Sequence, residues 1–320
     1  MQLKAPRLDD LSLSGKRVLV RVDFNVPQDE RGAITDDTRI RGALPTIREI
    51  LSKGGKPVLM SHLGRPKGKV VESQRLTPMA HRLQELLGSP VTKLDDCIGP
   101  AVVSAIASAP KGTTILLENV RFHAGDEAGD AAFAQALAAN GDVFVNDAFG
   151  SAHRDHASVC GVARLLPSAA GRLLEKEIAA FARVLTQPEK PLVAIVGGAK
   201  VSDKLKVVQS LVERVDALLV GGGMAYTFLA AQGREVGKSL VQQDQLANVK
   251  HALASAAARK VDVLLPVDHV CAEVFQQDAQ PHAVDGVDIP AGLMGLDIGP
   301  RTRELYRARI LAAKTVVWNG

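Results

Sequence analysis

Val18-Leu19-Val20-Arg21-Val22-Asp23-Phe24-Asn25-Val26-Pro27 begins as an apolar run and is then punctuated by Asn25 and Pro27. That is the pattern of a strand opening into a loop, and it places Asp23 and Asn25 where a sheet delivers side chains to a crevice. Three later runs repeat the arrangement. Residues 57–60 lead into Ser61-His62-Leu63-Gly64-Arg65-Pro66, residues 114–117 into Glu118-Asn119-Val120-Arg121-Phe122-His123, and residues 143–146 into Asp147-Ala148-Phe149-Gly150-Ser151-Ala152-His153-Arg154. In open parallel α/β sheets the loops at the carboxyl ends of the strands converge on the ligand. The sequence therefore predicts that Arg21, Arg65, Arg121 and Arg154 are aimed at one sheet edge.

Guanidinium groups gathered this way repel one another, and each presents a planar fork that matches phosphate or carboxylate oxygens, so an anion is the simplest partner. A charge-assisted hydrogen bond contributes about 1.5–3 kcal/mol, and two or three suffice for a small phosphorylated acid. Any single arginine could instead be solvated or paired with an acid; the recurrence at successive strand ends favours a site. His62, between a strand end and Arg65, is placed to donate to a ligand carboxylate. His153 and His156 are three apart but lack a third metal ligand, which favours a local structural role near Arg154.

The later part of the chain carries a different signature. Residues 192–196 are continuously apolar and run into Gly197-Gly198-Ala199-Lys200-Val201-Ser202-Asp203-Lys204, after which Leu205, Val208, Leu211 and Val212 recur at helical spacing. Ser202 is the expected N-cap, which would put Lys204 in the first helical turn and Lys200 just before it. A helix N-terminus disfavours cations by about 0.3–1 kcal/mol; a bound anion reverses that, and the glycine-rich turn adds backbone donors. Residues 217–220 lead into Gly221-Gly222-Gly223-Met224-Ala225-Tyr226, whose glycines would let a flat ligand approach the backbone. GGAKVSDK lacks the spacing of a P-loop and GGGMAY lacks GxGxxG, so a nicotinamide enzyme of the usual kind is disfavoured. Each glycine run alone could be only a tight turn; the two lysines argue for more.

VLVRVDFNVP, the DDTRI of 36–40, SHLGRP, ENVRFH, DAFGSAHR, GGAKVSDK, GGGMAYTF and the final TVVWNG follow one another in an order and spacing that resembles the phosphoglycerate kinase family along nearly the whole chain. The resemblance implies an α/β protein of two Rossmann-like parallel-sheet domains facing a cleft, the second one truncated. A 3-phosphoglycerate-binding domain is expected over 1–165, an interdomain helix over 166–187 and an incomplete nucleotide-binding domain over 188–320. The implied activity is reversible phosphoryl transfer between 1,3-bisphosphoglycerate and ADP, giving 3-phosphoglycerate and ATP, a step of glycolysis. Carried over position by position, substrate contacts fall on Asp23, Asn25, Arg39, His62, Leu63, Gly64, Arg65, Arg121 and Arg154. Nucleotide contacts fall on Gly198, Lys200 and Lys204, with Gly221, Gly222 and Gly223 lining the adenine side. Arg39 and Lys200 match the two cations that meet the transferring phosphoryl group, and the role of Arg21 stays open.

Such a transfer passes through a loose, in-line transition state with charge on its equatorial oxygens, so no protein nucleophile is needed. Catalysis rests on positioning and electrostatic stabilisation, and on substrates held apart until closure excludes water. The family uses Mg2+ with ADP or ATP, but no metal ligand is assigned here, because the family's metal-binding aspartate is expected beyond residue 320. A ribose-contacting acid and a terminal segment are expected there too. The resulting expectations are that this chain binds 3-phosphoglycerate better than nucleotide, turns over slowly or not at all, and exposes a sheet edge in its second half. The alternative is a non-catalytic phosphoglycerate- or polyanion-binding fragment.

Bulk properties fit these expectations. At 320 residues and 46% hydrophobic content the chain can build two α/β cores. No run approaches the roughly 18 apolar residues of a membrane span. The N-terminus, with Lys4, Arg7, Asp9 and Asp10, has no signal-peptide core, so a cytoplasmic monomer with no membrane partner is expected. Net charge is +4, yet with one Trp, two Tyr, eight Phe and no charge block the chain does not read as a nucleic-acid binder. Cys97, Cys160 and Cys271 are odd in number and widely spaced, which indicates neither a disulfide framework nor a zinc site; they read as buried small hydrophobes. Leu173, Glu177, Ile178, Phe181 and Leu185 recur at helical spacing up to Thr186-Gln187-Pro188, predicting a stiff connector that turns small hinge rotations into large movements. Helical patterns over 76–87, 130–139, 246–259 and 302–311 fit covering helices.

Overall fold

The computed structural model describes residues 5–320; Lys4 and the side chain of Leu185 lie outside the described residues. The chain divides into two compact units, one reaching to Phe181 and one running from Ala182 to Gly320.

In the first unit β1 (Arg17–Arg21), β2 (Lys56–Met60), β3 (Val91–Lys93), β4 (Thr114–Leu116), β5 (Val143–Asn146) and β6 (Ser168–Ala170) form one sheet in the order β3-β4-β2-β1-β5-β6. Every neighbouring pair is parallel. Alternate residues serve opposite faces. Val18, Val20, Leu59, Leu116 and Val145 pack with Ile40, Ile47 and Ile50 of α1 (Thr38–Ser52) and with Met79 and Leu83 of α2 (Thr77–Leu87). Leu19, Val58, Met60, Ile115 and Phe144 pack on the other side with Val102 and Ile106 of α3 (Pro100–Ser108). Beyond the short α4 (Ala124–Glu127), α5 (Ala131–Ala138) adds Phe133 and Leu137 to that second cluster. Covering both faces is why the strands read as continuous apolar runs, and each fully buried aliphatic or aromatic side chain contributes about 1.5–3 kcal/mol. The same burial carries α1 through Pro45, which lies inside it.

The segment 166–187, expected as one interdomain helix, holds a strand as well. Residues 168–170 are β6, paired with β5, and the helix α6 runs from Arg172 to Thr186. Its first turn is anchored in the first unit: Arg172 N–H donates to Thr46 Oγ1, Leu173 and Leu174 N–H donate to Asp147 Oδ1, and the Arg172 guanidinium bonds Glu49, Asp9 and Glu175.

The second unit is built around β7 (Leu192–Val196), β8 (Ala217–Val220) and β9 (Asp262–Leu264), all parallel, with α7 (Leu205–Val212), α8 (Met224–Ala231) and α9 (Leu246–Ala258) burying one face. Three antiparallel strands, β10 (His269–Ala272), β11 (His282–Val284) and β12 (Met294–Ile298), form a separate small sheet. The other face of the parallel sheet packs Tyr306 of α10 (Pro300–Ala312), and β13 (Thr315–Asn319) pairs in parallel with β7, giving the order β13-β7-β8-β9. No helix among the described residues is long and apolar enough to cross a membrane.

Candidate active site

Because β4, β2, β1 and β5 are consecutive and parallel, the loops that leave their C-terminal ends emerge on one edge of the sheet. The order reverses beside β1: the chain first builds outward through β2, then returns to place β5 on the opposite flank, and a crevice opens at such a switch point. The loops after β1 and β5 meet there, since a Cβ on Gly150 would lie 2.8 Å from Asp23 Oδ2.

Hydrogen bonds join side chains from several of these loops. Arg39, from the first turn of α1, places Nη1 3.1 Å from Asp23 Oδ2, 3.2 Å from Oδ1 and 3.0 Å from the Asn25 carbonyl. Asn25 Oδ1 accepts from Gly64 N–H at 2.9 Å, and the Gly64 carbonyl accepts from Arg121 Nη1 at 3.0 Å. The Leu63 carbonyl accepts from Asn119 Nδ2 at 2.9 Å. Gly64 has φ +65°, a left-handed conformation that favours glycine, and a Cβ there would have to displace the Gln74 side-chain amide 2.7 Å away. Arg121 is 4% exposed; its Nε faces Glu127 Oε1 at 3.4 Å, and its Nη2 is buried with no hydrogen-bond partner among the described residues. A buried charged donor left unpaired is costly, and an anionic ligand removes that cost. Burial lowers the basicity of Arg121, Glu127 and Asp126 oppose that, and the charges of Arg154 and Arg65 add to it. Neither Arg65 nor Arg154 forms an ion pair among the described residues.

Arg21 takes another course. It is fully buried, with Nε donating to Ser158 Oγ at 3.0 Å, Nη1 to the Val22 carbonyl at 2.5 Å and Nη2 lying 3.1 Å from His62 Nδ1. A guanidinium only donates, so Nδ1 of His62 accepts, the ring is neutral and its proton sits on Nε2. Burial first, then the charges of Arg21, Arg121 and Arg154, push His62 down to about 2, in agreement with a neutral ring. Burial pulls Arg21 below its ordinary value while Asp126 and Asp23 raise it again, and a guanidinium stays charged at any ordinary pH. Asp126 is itself fully buried: Oδ1 accepts from Ser158 N–H at 3.0 Å, and Oδ2 lies 3.7 Å from His156 Nδ1. Burial lowers His156 as well, so it sits beside Asp126 in a local role, whereas His153 is exposed.

The second unit presents two glycine turns, after β7 and after β8, packed backbone to backbone. Gly222 has φ +66°, and a Cβ there would meet Gly198 N at 2.9 Å, while Met224 N–H donates to the Gly198 carbonyl at 2.9 Å. Part of the glycine requirement is therefore internal packing; Gly221, by contrast, has nothing within 4 Å of a Cβ position. Ser202 is not the helix cap. Its N–H donates to Gln242 Oε1 at 3.0 Å and its Oγ accepts from Gln242 Nε2 at 3.0 Å, so it is engaged in a turn and α7 begins at Leu205 with Lys204 at the N-cap. Lys204 Nζ bonds the Asn319 side-chain oxygen and approaches its carbonyl at 3.3 Å, while Lys200 is exposed on the same loop.

A family model described as phosphoglycerate kinase matches residues 8–320. The chain belongs to the phosphoglycerate kinase family. It is 55% identical over 316 residues to the phosphoglycerate kinase of Anaeromyxobacter dehalogenans strain 2CP-1, covering 98% of this chain and 80% of that one. It is 55% identical over 314 residues to the phosphoglycerate kinase of Moorella thermoacetica, covering 98% of this chain and 79% of that one. Among solved structures, phosphoglycerate kinase from Coxiella burnetii superposes with a TM-score of 0.83 at 38% identity, covering 99% of this chain and 80% of that one. The enzyme from Pyrococcus horikoshii OT3 gives 0.80 at 32% identity, covering 98% and 80%.

Within this phosphoglycerate kinase family frame, Asp23, Asn25, Arg39, Gly64 and Arg121 are linked by direct hydrogen bonds, and Leu63 and His62 belong to the same loop. Gly198, Gly222, Gly223 and Lys204 cluster in the second unit. The residues that sequence reasoning passed over are uncharged or buried supports: Asn119, whose Oδ1 also takes Arg121 N–H at 3.1 Å, Ser158 and Asp126. Asn119 had a signal, its place two residues before Arg121; Asp126 and Ser158 had none, because their partner Arg21 is 137 positions from Ser158. A cavity of about 790 Å³ beside α1 and α2 is a poor rival anion site, since Arg41 and Arg82 in its wall are already paired with Asp37. Among the described residues, one group of three metal-ligating side chains comes together, Asp96, Cys97 and His123 of the first unit.

Proposed function

We propose that the loops at the edge of the first sheet hold 3-phosphoglycerate or 1,3-bisphosphoglycerate, that the paired glycine turns of the second unit hold ADP or ATP, and that the chain thereby catalyses reversible phosphoryl transfer between them. Arg121 Nη2, buried and unpaired, is the observation that carries this reading. Arg121 takes phosphate oxygens, helped by Arg65 and Arg154. His62 offers its Nε2 proton to the substrate carboxylate, and Asp23 and Asn25 hold the hydroxyl. Arg39, exchanging its contact with Asp23 for the transferring group, and Lys200 stabilise the equatorial oxygens, while Lys204 takes nucleotide phosphates. No side chain acts as a nucleophile. Magnesium enters as part of the nucleotide substrate and neutralises phosphate charge. The setting proposed is the cytoplasm, with the protein as a monomer.

Calorimetric titration with 3-phosphoglycerate and then with magnesium-ADP tests the assignment. Binding of 3-phosphoglycerate should collapse in Arg121→Met while binding of magnesium-ADP persists. Equal affinity for 3-phosphoglycerate in wild type and variant would remove Arg121 from the site.

A further inference from the structure

Behind the turn that carries Arg121, three side chains unused by the reaction come together. Cys97 follows Asp96 in the stretch before α3, and His123 follows the Val120–Phe122 turn, 26 residues later. The donor atoms of Asp96, Cys97 and His123 all lie within 4.8 Å of one another. His123 Nε2 is 2.7 Å from Asp96 Oδ1, and the same oxygen accepts from Cys97 N–H at 2.6 Å. The group is firmly held: the Cys97 carbonyl accepts from buried Asn140 at 2.9 Å, the Asp96 carbonyl accepts from Glu118 N–H at 3.3 Å, and the His123 ring packs on Phe133 at 5.2 Å. It is also open on one side, since Cys97 is fully buried while the Asp96 side chain is 52% and that of His123 33% exposed.

We propose that Asp96, Cys97 and His123 form a binding site for a divalent zinc-like cation, with water completing a tetrahedral shell. Thiolate, imidazole and carboxylate together suit Zn2+ rather than the harder Mg2+ or Ca2+. Coordination requires the thiolate rather than the thiol. The thiol releases its proton to solvent, the neutral His123 ring binds through Nε2 and carries its proton on Nδ1, and Asp96 ligates as a carboxylate, so one proton leaves per ion bound. The ion touches no reacting group; it pins the turn of Arg121 to the start of α3. In sequence the site is invisible because Cys97 has no second cysteine or histidine at metal-ligand spacing.

The test is titration of the reduced protein with Co2+ alone, in a non-thiol reductant. Wild type should show a thiolate-to-cobalt charge-transfer band that saturates at one ion per chain and is abolished by Zn2+. Cys97→Ser should lose the band and Cys160→Ser should keep it, while His123→Gln weakens binding at least ~10–100-fold, the loss typical of even an outer-shell partner. Absence of the band in wild type, or its survival in Cys97→Ser, overturns the proposal. Should Cys97→Ser fail to fold by far-UV circular dichroism, His123→Gln decides: unchanged Co2+ affinity overturns the site.

Discussion

Among the candidate site cations, Arg21, Arg39 and Arg121 of the first unit are tied into the protein, whereas Lys200 of the second is exposed. Arg21 is fully buried and spends its donors on Ser158, Val22 and His62; Arg121 is held by Gly64; Arg39 is paired with Asp23. Lys200 is exposed, and Lys204 is anchored only to Asn319. On the proposed assignment, the difference teaches how two phosphate-binding surfaces can be made. One uses planar guanidinium forks whose orientation is fixed before the ligand arrives, so little entropy is lost on binding; the other uses backbone N–H groups and flexible ammonium groups that accept a polyphosphate in several poses.

The contrast can be broken experimentally. The largest effect should come from Arg39→Ala, an exposed position proposed to meet the transferring group: kcat should fall about 10²–10³-fold, as when one electrostatic donor is removed. Near-normal turnover in a coupled assay would confine Arg39 to neutralising Asp23. Arg121→Met should weaken 3-phosphoglycerate binding about 10–100-fold, the loss of one or two charge-assisted bonds, with magnesium-ADP affinity unchanged. If both affinities fall together, the two surfaces are not separate. Lys204→Met should cost about tenfold in nucleotide affinity alone, since an ammonium group contributes one such bond and backbone donors remain.

The smallest effect is a pH dependence. His62 is depressed from an unfolded value near 6.5 to about 2, so its neutral form belongs to the folded state. Folding stability should therefore be fully present above pH 6.5 and fall below it, by up to about 1.4 kcal/mol per pH unit, because the unfolded chain takes up a proton that the folded one refuses. His156 and His269, also lowered by burial, act in the same direction. Urea denaturation at pH 7.5 and 5.5 reads this, and His62→Gln should flatten the difference; an identical slope in the variant would mean that the His62 ring is not held neutral.

Much of the first sheet was legible because both its faces are covered, which leaves strands as unbroken apolar runs at 57–60, 114–117 and 143–146. The short strands β3 and β6 were not, since Val91-Thr92-Lys93 and Ser168-Ala169-Ala170 carry no periodic signal and exist only through their neighbours. The helix α1 was hidden by Pro45, whose cost is met by the core face of Ile40, Ile47 and Ile50. Ser202 misled for a related reason: a good cap by type, it was claimed by Gln242, forty residues away.

The sequence alone determined that strands end in basic and glycine-rich loops, because residue type and local periodicity are properties of neighbours in the chain. Which arginine would be a buried support and which would keep a free donor was decided only when four loops met at one sheet edge. Arg21 and Arg121 look alike in sequence; Ser158, His62 and Asp126 close around the first, while Arg121 is left with an unpaired nitrogen. Burial and hydrogen-bond satisfaction depend on what the fold brings near, and no local pattern encodes that.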